Sequence, residues 1–282
     1  MYEAMTTTAE QTIEEILVLY GSQTGNSEAA AHEISSNIPA RLSSSKSSSS
    51  SRTTTTNRRI TSRVMHLDDF LEIEKGRWTR LVVIVCSSYG VGQAPIGARK
   101  FREFCDEVLR RQEQQQQQRQ RRGRRGGDED DDDDDDEGRR GAPPPSMLEG
   151  VTYALLGLGD SHYTTYFKNP TIINDALTAM GATRIGELGK ADASGTGYRE
   201  QSRVIERWIE GIWDDLGKAL ESKSSEPIVL DRAWEGTWSI CLDIFPDWKP
   251  TTKLPAMDAL YYLPLVGIIL AMLVHYCYFR VG

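Results

Sequence analysis

The chain has 282 residues, 39% hydrophobic and 26% charged, enough to build one sizeable core or two small ones. Its formal charge of −8 is set by one run, the ten consecutive acids Asp128 to Glu137, without which the rest carries only +2. A near-neutral body excludes a broad basic nucleic-acid surface, and four cysteines without metal or disulfide spacing exclude a zinc module and a disulfide scaffold.

In chain order, the polar and acidic first fifteen residues lack the apolar core of a secretory signal. Ile16 to Tyr20 then form a run of β-formers that empties into Gly21-Ser22-Gln23-Thr24-Gly25-Asn26-Ser27 and resumes as a helix over 26–36. A strand, a small hydroxyl-rich loop and a helix start, in that order, suit an anion, because the first helical turn leaves N–H groups unpaired and partly positive. No lysine follows Gly25, so the loop is not a nucleotide-triphosphate loop. Its two glycines lie four apart, so it is not the three-glycine dinucleotide loop either. Hydroxyls and amides without a cation suit a terminal monophosphate.

Residues 41–58 are nearly all Ser, Thr and Arg, and 112–146 run through Gln, Arg, Asp and Pro. Both bury too little apolar surface to offset the entropy of ordering and are expected to be disordered insertions. Around them the pattern predicts strands at 61–66, 80–88, 151–159 and 183–188. It predicts helices at 68–73, 97–111, 170–180 and 198–221. Strands alternating with helices imply an α/β protein with a doubly wound, five-stranded parallel sheet. This domain spans 14–222 after a lead-in at 1–13. A tryptophan-bearing connector follows at 223–258, expected to pack on the domain or the membrane surface. Residues 259–279, ALYYLPLVGIILAMLVHYCYF, carry no formal charge and would reach about 31 Å as a helix, about the thickness of a bilayer core. Tyrosines near both ends fit an interfacial belt, so the segment is expected to be a transmembrane tail anchor with the domain facing the cytosol. Reduced thiols at Cys86, Cys105, Cys241 and Cys277 fit that compartment.

Four stretches in register carry a resemblance. They are YGSQTGNSEAA, VVIVCSSYGVGQAPIGARKFREF, YALLGLGDSHYTTYFKNPTIINDALTAMGATRIGELGKADASG and VIERWIEGIW. Together they resemble the flavodoxin-like FMN-binding domains of diflavin reductases, and most closely those of methionine synthase reductases. The resemblance implies sheet order 2-1-3-4-5 with three loops at its carboxyl edge. It implies that Ser22, Gln23, Thr24, Gly25, Asn26 and Ser27 hold the FMN phosphate, and that Ser87, Ser88, Tyr89 and Gly90 meet the flavin ring. Leu158, Gly159, Asp160, Ser161, His162, Tyr163, Thr164, Thr165, Tyr166 and Phe167 would line its other side. Tyr89 and Tyr163 would be the stacking aromatics, and Gly90 the peptide that can reorient toward flavin N5. Asp192 matches an aspartate that closes the site, or is a turn residue.

Two features depart from that pattern. The ring loop Gly90 to Gly97 carries none of the acids that shape docking of basic partners in relatives. The chain also reaches an apolar tail where diflavin reductases continue into an FAD and nicotinamide module. The expectation is therefore a membrane-anchored FMN protein that shuttles single electrons between a separate NAD(P)H-linked reductase and an unknown acceptor, with no nucleic-acid partner. The endoplasmic reticulum is the first candidate membrane and the outer mitochondrial membrane the second. Its rivals are an FMN-free membrane scaffold and a stand-alone flavin-dependent NAD(P)H reductase. No catalytic or metal-ligating residue is expected.

Overall fold

A computed structural model describes residues 13–42, 59–72, 78–125, 147–221 and 230–247. Its centre is a parallel sheet whose three middle strands are buried apolar runs, as expected when helices cover both faces. These are β1 (Ile13–Gly21), β3 (Leu81–Ser87) and β4 (Thr152–Gly159), and β2 (Arg59–His66) lies outside β1. The spatial order is β2-β1-β3-β4-β5, all parallel, with the short β5 (Thr183–Arg184) outside β4.

Side chains alternate across the sheet and so belong to two cores. Ile16, Val18, Val83, Val85, Ala154 and Leu156 point to a layer formed by α1 (Asn26–Leu42) and α5 (Gln201–Glu221). Leu17, Leu19, Val82, Ile84, Tyr153 and Leu155 point to the opposite layer. That layer holds α2 (Leu67–Glu72), α3 (Arg99–Arg125), α4 (Lys168–Ala179) and α6 (Leu230–Ile244). The chain leaves β1 for β2 on one side and then crosses to β3 on the other. The crevice above β1 and β3 is thus a topological switch point, where ligands of such sheets bind.

Three expectations change. The fifth strand is broken, so the sheet has six strands: β5 is only Thr183–Arg184, and β6 (Gly189–Asp192) pairs with the far half of β4. Thr152 lies opposite Thr183 but Leu156 opposite Gly189, so two extra residues bulge between the pieces, with Gly186 at φ +64° making the bend. Residues 112–125, expected within a disordered insertion, continue α3. Glutamine and arginine are good helix formers, and Glu107 pairs with Arg110 and Arg111 one turn on. The connector contains α6, which lies by the amino edge of the sheet. There Trp78 Nε1 donates to Thr237 Oγ1 at 3.0 Å, and Arg111 pairs with Asp243 at 2.7 Å. Residues 43–58 and 126–146, Trp248 and the apolar stretch 259–279 lie outside the described residues. Among the described residues no helix is long and apolar enough to cross a membrane.

Candidate functional site

Three loops meet over the carboxyl ends of β1, β3 and β4. The first, Ser22 to Gly25, is closed by the Gly25 N–H donating to Ser22 Oγ at 3.0 Å. Gly25 takes φ +93° with open space where a side chain would be, and the Ala29 N–H begins the helix on its carbonyl at 2.8 Å. At the second residue of α1, Ser27 is 1% exposed and its hydroxyl has no hydrogen-bond partner among the described residues. A buried hydroxyl left unpaired costs free energy, so it marks a place where a partner is missing.

The second loop follows β3. Tyr89 and Gln93 exchange backbone hydrogen bonds at 3.2 and 2.9 Å, closing a hairpin in which Gly90 and Gly92 take φ +54° and +84°. Gly92 lies tightly against Lys168 and Thr165, so no side chain fits there. Asn169, fully buried, fixes the loop's base by donating its side-chain amide to the Ser87 carbonyl at 3.0 Å. Asp68 orients the helix behind it, accepting the Arg99 and Phe101 N–H groups at 3.0 and 2.9 Å. Burial pushes the Asp68 carboxyl up, against the lowering effect of those same bonds.

The third loop, 160–167, is tied to the segment after β6. Asp160 accepts from the hydroxyl of Ser194 and the N–H of His162, which hold its carboxyl below the usual range. The His162 ring is exposed, with Nδ1 3.0 Å from Asp160 and in contact with Ser194. Asp, His and Ser here converge on one another rather than aligning as nucleophile, base and orienter, so the set knots two loops together. Asp192 accepts the Ser161 and Ser194 N–H groups at 2.9 and 3.0 Å; it holds the turns that frame the site. Phe167, at φ +65° and 4% exposed, turns inward to start α4.

The loops enclose a cavity of about 620 Å³. Gln23, Thr24, Asn26 and Ser27 line one end. Ser87, Ser88, Tyr89 and Gly90 line one side, and Leu158, Gly159, Asp160, Tyr163, Thr165 and Tyr166 the other. Ser22, Gly25, Ser161, His162, Thr164, Phe167 and Asp192, also expected from the sequence, do not line it; several of them shape the loops that do. Two lining residues were not expected, Ala193 and Gln201. Only the position of Gln201 at the first turn of the last predicted helix hinted at its part. Among the described residues no group of acids, histidines and cysteines can hold a metal.

Residues 43–206 match the protein family described as Flavodoxin. The chain is 29% identical over 219 residues to the bifunctional cytochrome P450/NADPH–P450 reductase of Bacillus cereus, covering 77% of this chain and 15% of that protein. Over 79 residues it is 37% identical to the methionine synthase reductase of Mus musculus, covering 28% of this chain and 11% of that one. It therefore spans only a small part of these relatives. Among solved structures, a mutant of flavodoxin from Pseudomonas aeruginosa is 16% identical, with 74% of this chain and 99% of that one covered and a TM-score of 0.44.

Proposed function

The chain belongs to the flavodoxin family, and on that premise we propose that it binds FMN and carries single electrons at a membrane surface, between a separate NAD(P)H-linked reductase and an acceptor. The observation that carries this reading is the unpaired, buried Ser27 hydroxyl at the start of α1, inside the cavity. A phosphate supplies the missing acceptor, and the helix N-terminus and the Thr24 hydroxyl add donors without any cation. Tyr89, Tyr163 and Tyr166 give the other end aromatic walls suited to a flavin ring. Gly90, whose carbonyl accepts from the Thr165 hydroxyl at 3.3 Å, lacks the Cβ that would make turning its peptide costly. Bound FMN supplies the one-electron chemistry. The protein binds it, orients it and shields one edge.

The apolar stretch 259–279 supports attachment to a cytosol-facing membrane, the endoplasmic reticulum first and the outer mitochondrial membrane second. It follows a helix, α6, that lies away from the cavity, so the site can face the cytosol while the tail enters the bilayer.

The test uses the full chain purified in mild detergent and titrated with FMN and with riboflavin. One FMN per chain, held at least about tenfold more tightly than riboflavin, supports the phosphate site. A chain that stays colourless in excess FMN sinks the proposal in favour of a flavin-free scaffold. Oxidation of NADPH by the purified chain alone would instead make it a stand-alone reductase.

A further inference from the structure

The second loop is costly to hold in one shape. Gly90 and Gly92 both stand at positive φ, and glycine loses the most conformational freedom when it is fixed. The bonds that close the loop run through the Tyr89 backbone, whose carbonyl accepts the Gly92 and Gln93 N–H groups at 3.1 and 2.9 Å. Two side chains from other elements grip the glycine carbonyls. Thr165, in the third loop, donates its hydroxyl to Gly90 at 3.3 Å. Arg102, the fourth residue of α3, donates from Nη1 to Gly92 at 3.4 Å and to Asn169 Oδ1 at 3.1 Å.

The Arg102 side chain is only 14% exposed, and its partners set its plane. Nε donates to both oxygens of Asp106, one turn further along the helix, at 3.1 and 3.0 Å. Nη1 is thereby aimed at Gly92 and Asn169. The fully buried Asn169 amide uses both of its donors as well as its acceptor: Nδ2 donates to the Ser87 carbonyl at 3.0 Å and to Cys86 Sγ at 3.1 Å, while Oδ1 accepts from Arg102. A guanidinium can only donate, so Arg102 fixes which way the amide faces and turns its NH2 group to the end of β3. The Asn169 N–H, in the first turn of α4, donates to Ser88 Oγ at 3.4 Å. Arg102 thus reaches the loop where it leaves β3, through Asn169, and where it turns back, at Gly92. Between those points lie Ser87, Ser88, Tyr89 and Gly90, which line the cavity.

We infer that Arg102 is a positioning residue for the candidate site: through Asn169 and Gly92 it holds the second loop in its ligand-receiving shape. That the ligand is a flavin rests on the FMN reading; the hold on the loop does not. A loop fixed in advance takes up its ligand without a further ordering cost, so losing the grip weakens whatever binds against residues 87–90. Lysine at 102 is no equivalent. A single ammonium on a flexible stem cannot serve Asp106, Asn169 and Gly92 from one rigid plane.

The test uses the full chain in mild detergent, first without flavin. Hydrogen exchange at the Gly92 and Gln93 amides, which donate to Tyr89, reports the closed loop. Arg102→Met is expected to speed that exchange about tenfold while the amides of β1 and β4 keep their rates. Arg102→Lys is expected to speed it only about threefold, a partial rescue. Arg110→Met, which breaks the ion pair with Glu107 about two turns further along α3, leaves it unchanged. With ligand, Arg102→Met weakens riboflavin and FMN by the same factor, about tenfold, because both press on the loop in the same way. Unchanged loop exchange in Arg102→Met, an equal rise across the whole sheet, the same rise in Arg110→Met, or a loss confined to FMN overturns the inference. If Arg102→Met does not fold, Arg102→Lys carries the test, and loop exchange as slow as the parent's overturns it. A chain that binds neither flavin yet shows the expected exchange pattern removes the FMN reading and leaves the role of Arg102 standing.

Discussion

Asn26 and Gln201, 175 positions apart, meet through their side-chain amides: Asn26 Nδ2 donates to Gln201 Oε1 at 3.0 Å. Gln201 Nε2 in turn donates to the Ala191 carbonyl at 3.2 Å and the Gly159 carbonyl at 3.5 Å. One side chain at the start of α5 thus ties the first residue of α1 to the ends of β6 and β4. Replacing it with methionine, of similar length but without the amide, frees the end of the cavity lined by Gln23, Thr24, Asn26 and Ser27 to move. The expected effect of Gln201→Met is an FMN affinity lower by about tenfold, the loss of one to two net hydrogen bonds. Riboflavin, with no phosphate, should lose much less. Equal loss for both ligands would mean that Gln201 only stabilises the fold.

Ser27 gives a prediction of opposite signs. Its hydroxyl is buried without a partner, so Ser27→Ala should stabilise the flavin-free chain by about 1 kcal/mol. The same change removes a donor to phosphate and should cut the preference for FMN over riboflavin about tenfold. Urea unfolding without ligand and paired flavin titrations read the two effects. A variant less stable in both states would place that hydroxyl in the packing rather than in the site.

These two residues show how far the sequence could be read. Ser27 closes a contiguous strand-loop-helix stretch, so its place at the cavity was legible. Gln201 comes from a distant segment and owes its role to the sheet crossing, which no local pattern encodes. The central strands were legible because they are unbroken apolar runs; the break between β5 and β6 was not, since TRIGEL reads as a strand until Gly186 adopts its positive φ. Helix α6 buries a stripe of Ala233, Thr237 and Cys241 at four-residue spacing, but small and polar side chains hide such a stripe from a hydrophobicity pattern. The second half of α3 was masked differently, since a Gln/Arg run is both low in complexity and high in helix propensity.

The buried thiols set an alkaline limit on stability. Burial pushes Cys86 and Cys241 up to about 12 and Cys105 well above its ordinary range. Below about pH 7.5 each thiol is protonated in both states and contributes no pH dependence. Above that the unfolded chain releases protons that the folded chain keeps, so stability falls as pH rises through about 8.5 toward about 12. The slope is up to about 1.4 kcal/mol per pH unit for each thiol. Urea midpoints at pH 8 and pH 10.5 should differ in that direction, and Cys86→Ala should flatten the difference. A thiol reagent at pH 8 should leave these three cysteines unlabelled until denaturant is added; rapid labelling of the folded chain would contradict their burial.

Gly157 and Phe167 form the last test, because together they set the third loop. A Cβ on Gly157 would stand 2.3 Å from the Phe167 ring and 2.7 Å from Pro170, so the absent side chain is the space that the ring fills. Phe167 needs that anchorage, since its left-handed backbone at φ +65° is unfavourable for a bulky residue. Gly157→Ala should expel the ring and destabilise the protein by about 1–3 kcal/mol. Trimming the ring with Phe167→Leu in that background should recover part of the loss, whereas Phe167→Leu alone should destabilise by about 1–2 kcal/mol. The two changes should therefore couple in a double-mutant cycle. Tyr163, Thr165 and Tyr166 ride on the same loop and line the ring end of the cavity. Gly157→Ala should accordingly weaken riboflavin and FMN by the same factor, unlike Gln201→Met. Additive stabilities, or a loss confined to FMN, would show that the ring does not hold this loop.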